Sequence, residues 1–226
     1  MELHGSELEK NFLKFMDKFI PFEKAEVSYV IKKSKFLVTA SPVSTAEEAR
    51  CFISEIKKKY SDATHNVSAF VIGSGNSVIS GCSDDGEPPG TAGKPILTAL
   101  TGSMFTNIVI VSTRWFGGIK LGTGGLVKAY SEGVFQIIPL LKKSIISYVD
   151  KINLLFSYAF YDSILSFVGK FGADIECSDF SENVKLTCVV KSEKLDKFKK
   201  EILNLTNGKI AFEILEQNIQ KKILVE

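Results

Sequence analysis

The stretch Ser83-Asp84-Asp85-Gly86-Glu87-Pro88-Pro89-Gly90-Thr91-Ala92-Gly93-Lys94-Pro95 has too much glycine and proline for a helix or a strand. It reads as an extended loop, and the elements around it follow from where it stops. Pro95 suits the first turn of a helix over about 95–103. Residues 107–113, Asn-Ile-Val-Ile-Val-Ser-Thr, form an apolar strand that runs into Arg114-Trp115-Phe116-Gly117-Gly118. A second glycine loop, Leu121-Gly122-Thr123-Gly124-Gly125, opens a helix over about 125–138 that Pro139 ends. Ten of the 17 glycines fall in residues 81–125, so the loops are a concentrated feature of one region.

Upstream, residues 66–73 and 77–82 read as strands joined by a hairpin turn at Gly73-Ser74-Gly75-Asn76. Ser44 or Thr45, followed three residues later by Glu47 or Glu48, caps a helix with Ala49, Phe52, Ile53 and Ile56 on one face. Alternation from Glu26 to Ala40 around Lys32–Lys35 predicts a hairpin. Leu8, Phe12, Phe15 or Met16, and Phe19 predict an amphipathic helix over 6–20, with Ser6 and Glu9 as a capping box and Pro21 as the stop.

Between residues 140 and 147 the glycine-punctuated pattern gives way to a half with few glycines. The order there reads strand 147–158, helix 161–171, strands 173–179 and 184–191, helix 193–205 and strand 209–217, which is βαββαβ. The expected class is α+β. The expected layout is an N-terminal helical extension over 1–25, a first domain over 26–140 and a second over 147–226.

Composition removes several functions. Apolar residues are 45% and charged residues 24% of the 226, the profile of a folded domain rather than a disordered chain. Twenty-eight basic against 26 acidic residues leave +2, so nucleic acid would be held by a local patch and not by a global field. With His4 and His65 as the histidines, H-E-x-x-H zinc sites do not occur, and Cys51, Cys82, Cys177 and Cys188 contain no C-x-x-C pair. No cofactor is expected. The chain shows neither a signal-peptide pattern nor an apolar run of about 20 residues, which gives the expectation of a cytoplasmic protein without membrane association.

Three constellations could carry chemistry. Asp84, Asp85 and Glu87 could hold a hard cation or act as acid and base, or else cap backbone amides of an Asp-Gly turn. Gly90 to Pro95 is not a Walker loop, because Pro88 and Pro95 stand at positions that need Gly and Ser or Thr. A helix start there still favours an anion, with Thr91 and Lys94 beside it. Arg114 is one of two arginines, and beside Trp115 and Phe116 it combines an anion fork with stacking faces; Gly122, Gly124 and Gly125 at a helix start would add free amides. Lys120 and Lys128 could contribute charge. The alternative is that the aromatic residues are core and the glycines serve backbone packing. His65, at a strand edge, is a structural histidine or a further acid/base or metal-ligand candidate on the same face; paired with Cys82 it could activate a thiolate.

The ordered set of these segments, Ser83 to Pro95, Arg114 to Gly118, and Leu121-Gly-Thr-Gly-Gly-Leu-Val-x-Ala129-Tyr130, closely resembles the IMPACT/YigZ family. Lys33-Ser34-x-Phe36 and Ala63-x-His65-Asn66 extend the resemblance over about 26–140. It implies a ribosomal protein S5 domain 2-like first domain followed by a ferredoxin-like second domain, a pair similar to domains IV and V of elongation factor G. Eukaryotic relatives restrain a translation-factor kinase with the help of an additional RWD domain; about 25 residues before the match are too few for one, so that role is not expected. The function expected is a non-enzymatic module that binds RNA, the ribosome or translation factors and modulates translation. The alternative is an enzyme acting on a phosphorylated or carboxylated small molecule at the glycine-rich loops.

Overall fold

The structure is a computed structural model and describes residues 18–225. The chain falls into two compact units that part between Ile145 and Ile146, with residues 224 and 225 returning to the first. The bulk of the helix expected over 6–20 lies outside the described residues. Its last residues are not helical: Phe19 bridges Phe105, and Ile20–Pro21 is a short strand, β1, against Lys143 and Ser144. The bulky side chains of Phe19 and Ile20 are packed by extended pairing, which overrides the i, i+4 pattern read from the sequence.

The first unit is built on an antiparallel sheet of β2 (Ala25–Ile31), β3 (Ser34–Pro42), β4 (His65–Ile72), β5 (Ile79–Ser83) and β6 (Ile108–Trp115), in the order β2-β3-β6-β4-β5. Lys32 and Lys33 form the β2–β3 turn with φ of +44° and +67°. Two-residue hairpin turns need positive φ to match strand twist, and they usually recruit Asn-Gly. Two lysines here cost about 1–2 kcal/mol each.

Helix α1 (Ala46–Lys59) begins at Thr45, whose Oγ1 accepts from the Glu48 amide at 3.1 Å, while Glu48 reaches back to the Ser44 amide at 2.7 Å. It buries Ala49 and Ile56, and Ala49 packs on one sheet face against Val43, Ile72 and Val109. Helices α2 (Gly93–Thr101) and α3 (Thr123–Ile137) cover the other face through Ile96, Leu100, Leu126, Tyr130 and Val134. β6 is therefore buried on both sides, which is why its first half, Ile108 to Val111, is apolar without alternation. α2 starts two residues before Pro95, because Asp84 organises its first amides.

The second unit is built on β7 (Lys143–Phe156), whose first three residues belong to the first unit, β8 (Asp174–Phe180), β9 (Val184–Lys191) and β10 (Ile210–Leu224), whose last residue does too, paired in the order β10-β7-β9-β8. Helices α4 (Tyr161–Phe171) and α5 (Leu195–Leu205) set Ile164, Val168, Phe198 and Ile202 against Ile152, Leu154, Leu186 and Val190. The alternate residues of the same strands form a polar face, where Asn153 accepts from Thr187 Oγ1 at 2.9 Å and donates to Glu213 at 3.1 Å.

Candidate functional site

The site is assembled at the Arg114 end of β6. Ile108 and Ile110 point into the core under α2 and α3, and with a period of two Arg114 follows onto that same face. The side chain is therefore carried inside, 4% exposed, and does not present a free fork to solvent. A buried guanidinium needs a counter-charge. Glu87 supplies it: Arg114 Nη1 donates to Glu87 Oε1 at 2.6 Å, and Nη2 donates to Ser34 Oγ at 3.2 Å. Tyr130, from α3, donates to the same Oε1 at 2.6 Å. Burial, and then its bond to Glu87, raise the Tyr130 pKa well above the usual phenol value, so the hydroxyl stays a donor. Arg114 also stacks between Phe36 and Phe116, with the guanidinium carbon 5.6 Å from each ring centroid. Its Nε is buried without a hydrogen-bond partner among the described residues.

His65 is the direct cross-strand neighbour of Arg114 and joins this cluster. Its Nδ1 lies 2.8 Å from the Asp85 carbonyl oxygen, which only accepts, so Nδ1 carries the proton. Nε2 faces Glu87 Oε2 at 3.8 Å. Cys82 is not its partner: it pairs with Ala69, four residues further along β4, or about 13 Å of strand.

The three carboxylates of the first loop do not converge. Asp84 Oδ2 accepts from the Gly90 amide at 2.9 Å, and Oδ1 accepts from the Ala92 and Gly93 amides at 3.0 and 2.8 Å. Partial burial opposes its charge, but the three amides outweigh it and hold the carboxyl below its ordinary value. The anion attracted to the start of α2 is thus one of the chain's own side chains. Asp85 turns away to Lys57 Nζ at 2.5 Å and to the Asn66 amide at 2.6 Å, and these bonds outweigh burial to lower its pKa. Because each carboxylate has a different partner, the cation site considered for Asp84, Asp85, Glu87 and His65 is not formed; among the described residues no group of three His, Cys, Asp or Glu side chains could hold a metal. Thr91 is also turned inward, donating to the Pro88 carbonyl at 2.7 Å, whereas Lys94 is exposed on the first turn of α2.

The second loop is different. Gly122 caps α3 with φ +74°, and among the described residues no side chain bonds to the amides of that helix start. A Cβ at Gly122 or Gly124 would meet nothing within 4 Å, and one at Gly125 would touch only Leu121, at 3.2 Å. Gly117 is the opposite case, since a Cβ there would lie 2.0 Å from the Lys33 carbonyl, and this close approach ties the β2–β3 turn to the segment after β6. Trp115 is half-buried, donates from Nε1 to Asp62 at 2.8 Å and carries Lys35 5.2 Å above its ring. Phe116 is 45% exposed. Lys32, Lys33, Lys94, Lys120 and Lys128 are exposed and have no carboxylate partner among the described residues.

Sequence reasoning gave no role to Tyr130, Ser34, Asn66 or Lys57. Tyr130 and Ser34 stand in the segments quoted above, but a helical or strand-facing polar residue reads as surface or core until its partner on another element is known.

The Impact N-terminal domain model matches residues 32–138, and a domain of unknown function, DUF1949, matches 154–209. The IMPACT family member YvyE of Bacillus subtilis is 39% identical over 83% of this chain and 86% of its own length. The IMPACT family member YigZ of Escherichia coli is 34% identical over 88% and 98%. A crystal structure described as a hypothetical protein superposes with a TM-score of 0.57 at 34% identity, over 88% of this chain and 97% of that one. Both units therefore have counterparts along nearly the full length of these relatives, and the chain belongs to the IMPACT family.

Proposed function

We propose that this protein is a non-enzymatic module that binds RNA of the translation apparatus and modulates translation in the cytoplasm. The observation that carries the reading is the second loop: uncapped amides at the start of α3, exposed Phe116, and a set of lysines without carboxylate partners among the described residues. Lysines neutralise phosphates, free amides at a helix start accept an anion, and an exposed ring stacks on an unpaired base. In this reading Arg114 and Trp115 are positioning residues, Arg114 by locking Glu87 and Tyr130 beneath the loop. Retention of two lysines at positive φ in the β2–β3 turn supports the same face, since a conformation that lysine disfavours is held at an exposed cationic tip.

The four-stranded unit, ordered β10-β7-β9-β8 with both helices on one face, supports the ferredoxin-like reading of residues 147–226, and we read residues 26–140 as S5 domain 2-like. The catalytic alternative has less support. Asp84 and Asp85 are occupied by the chain itself, which leaves the His65–Glu87 pair without an open carboxylate beside it.

The test is fluorescence anisotropy of a single-stranded RNA oligonucleotide across a salt series. Lys33→Ala with Lys120→Ala should weaken binding and lower the log–log salt slope by about 2, roughly one per phosphate contact, without changing the melting temperature. An unchanged affinity and slope would refute the assignment.

A further inference from the structure

A second cation-bearing recess lies on the opposite face of the first sheet, against α1. Its cavity, about 530 Å³, lies between α1 and the edge strand β5. Arg50, Ile53, Ser54 and Lys57, at i, i+3, i+4 and i+7, present one face of α1 to it, while Ser68 and Phe70 form the β4 floor. The Phe70 ring lies directly against the Gly81 backbone, where a Cβ would be 2.7 Å from it. The size matches that of small-molecule sites.

The lining is chemically selective. No carboxylate of the described residues lines the cavity. Asp85, which reaches Lys57 at one end, is engaged by that lysine and by the Asn66 amide. Arg50, the second of the two arginines, is exposed and has no ion-pair partner among the described residues. Ser68 lines the recess, and its hydroxyl makes no side-chain hydrogen bond among the described residues. A hydroxyl that opens on the recess beside a guanidinium without an ion-pair partner is a donor available to an anionic oxygen. Ser54 adds another hydroxyl, and Ile53 and the half-buried Phe70 ring supply an apolar wall.

We infer that this recess binds a small phosphomonoester, with the phosphate held by Arg50 and the Ser54 and Ser68 hydroxyls and a compact apolar group against Ile53 and Phe70. A planar, five-donor guanidinium matches a phosphate bidentately. This site uses none of the residues of the proposed RNA face.

Phenyl phosphate, inorganic phosphate and sodium chloride at matched ionic strength are the probes, read by calorimetric titration and by amide chemical shifts. Phenyl phosphate should bind at least ~10-fold more tightly than inorganic phosphate and shift the amides of Ser54, Ser68 and Gly81. Arg50→Ala, at an exposed position, should weaken it ~10-fold or more, equivalent to ~1.4 kcal/mol, at an unchanged melting temperature; Ser68→Ala should weaken it less. Lys33→Ala with Lys120→Ala should leave it unaltered. Equal affinity for the two phosphates, wild-type binding by Arg50→Ala, or shifts confined to residues 116–125 would each overturn the inference.

Discussion

The two glycine-rich loops look alike as sequences and differ as sites. Each leads into a helix start, where unpaired amides and the helix dipole attract negative charge. At the first, Asp84 fills the cradle and Glu87 neutralises Arg114, so the loop is saturated by its own chain. At the second, no side chain of the described residues caps α3, and a Cβ at Gly122 or Gly124 would meet none of their atoms within 4 Å. Glycine content alone does not identify a ligand cradle; what decides is whether an anion of the same chain already sits in it.

The largest effect that separates the loops is expected at Glu87. Glu87→Ala leaves the Arg114 charge buried and unpaired, and removal of one partner of a buried pair costs about 3–5 kcal/mol. Denaturant unfolding should report this as a large drop in midpoint, whereas Glu87→Gln, which retains an acceptor for Tyr130, should lose less. Equal, small losses would mean that the cluster is not an internal counter-charge.

Asp84→Ala comes next, at about 1–2 kcal/mol for a lost helix cap. The pH dependence follows from the same bonds. Asp84 and Asp85 have folded-state pKa values below their unfolded ones, so their stabilisation is complete above the unfolded carboxyl value, about 4. It is lost as pH falls through the lower folded values. Asp84→Asn should flatten the acid side of a stability-against-pH curve while leaving neutral pH binding of RNA unchanged.

The smallest effect has opposite signs in two assays. Replacing Lys32-Lys33 by Asn-Gly relieves the positive-φ strain of the β2–β3 turn and should stabilise the first unit by about 1 kcal/mol, yet weaken RNA binding by removing two cations. If binding were unaffected, the turn would not belong to the face.

Much of the architecture was legible because periodicity reports burial. The helix at 161–171 and the strand at 184–191 appear with the bounds that their patterns predict. The ends of β7 and β10 were not legible, because both strands continue into pairings with distant residues that leave no local signal. At the site, the sequence identified the loops, Arg114, Glu87 and His65 as notable, but not their partners. The direction in which Arg114 points depends on the two-residue period of β6 being buried on both sides, and the destinations of Asp84 and Asp85 depend on how the loop folds over α2 and Lys57. Three adjacent carboxylates read as a cation site in sequence because spacing does not reveal that each has a different donor.

The most direct test of the contrast between the loops is amide chemical-shift mapping during titration with a single-stranded RNA oligonucleotide. The largest shifts are expected at Lys33 to Lys35 and Phe116 to Gly125, with the Gly90, Ala92 and Gly93 amides, held by Asp84, nearly unmoved. The largest shifts at Gly90 to Gly93, with residues 116–125 silent, would contradict it.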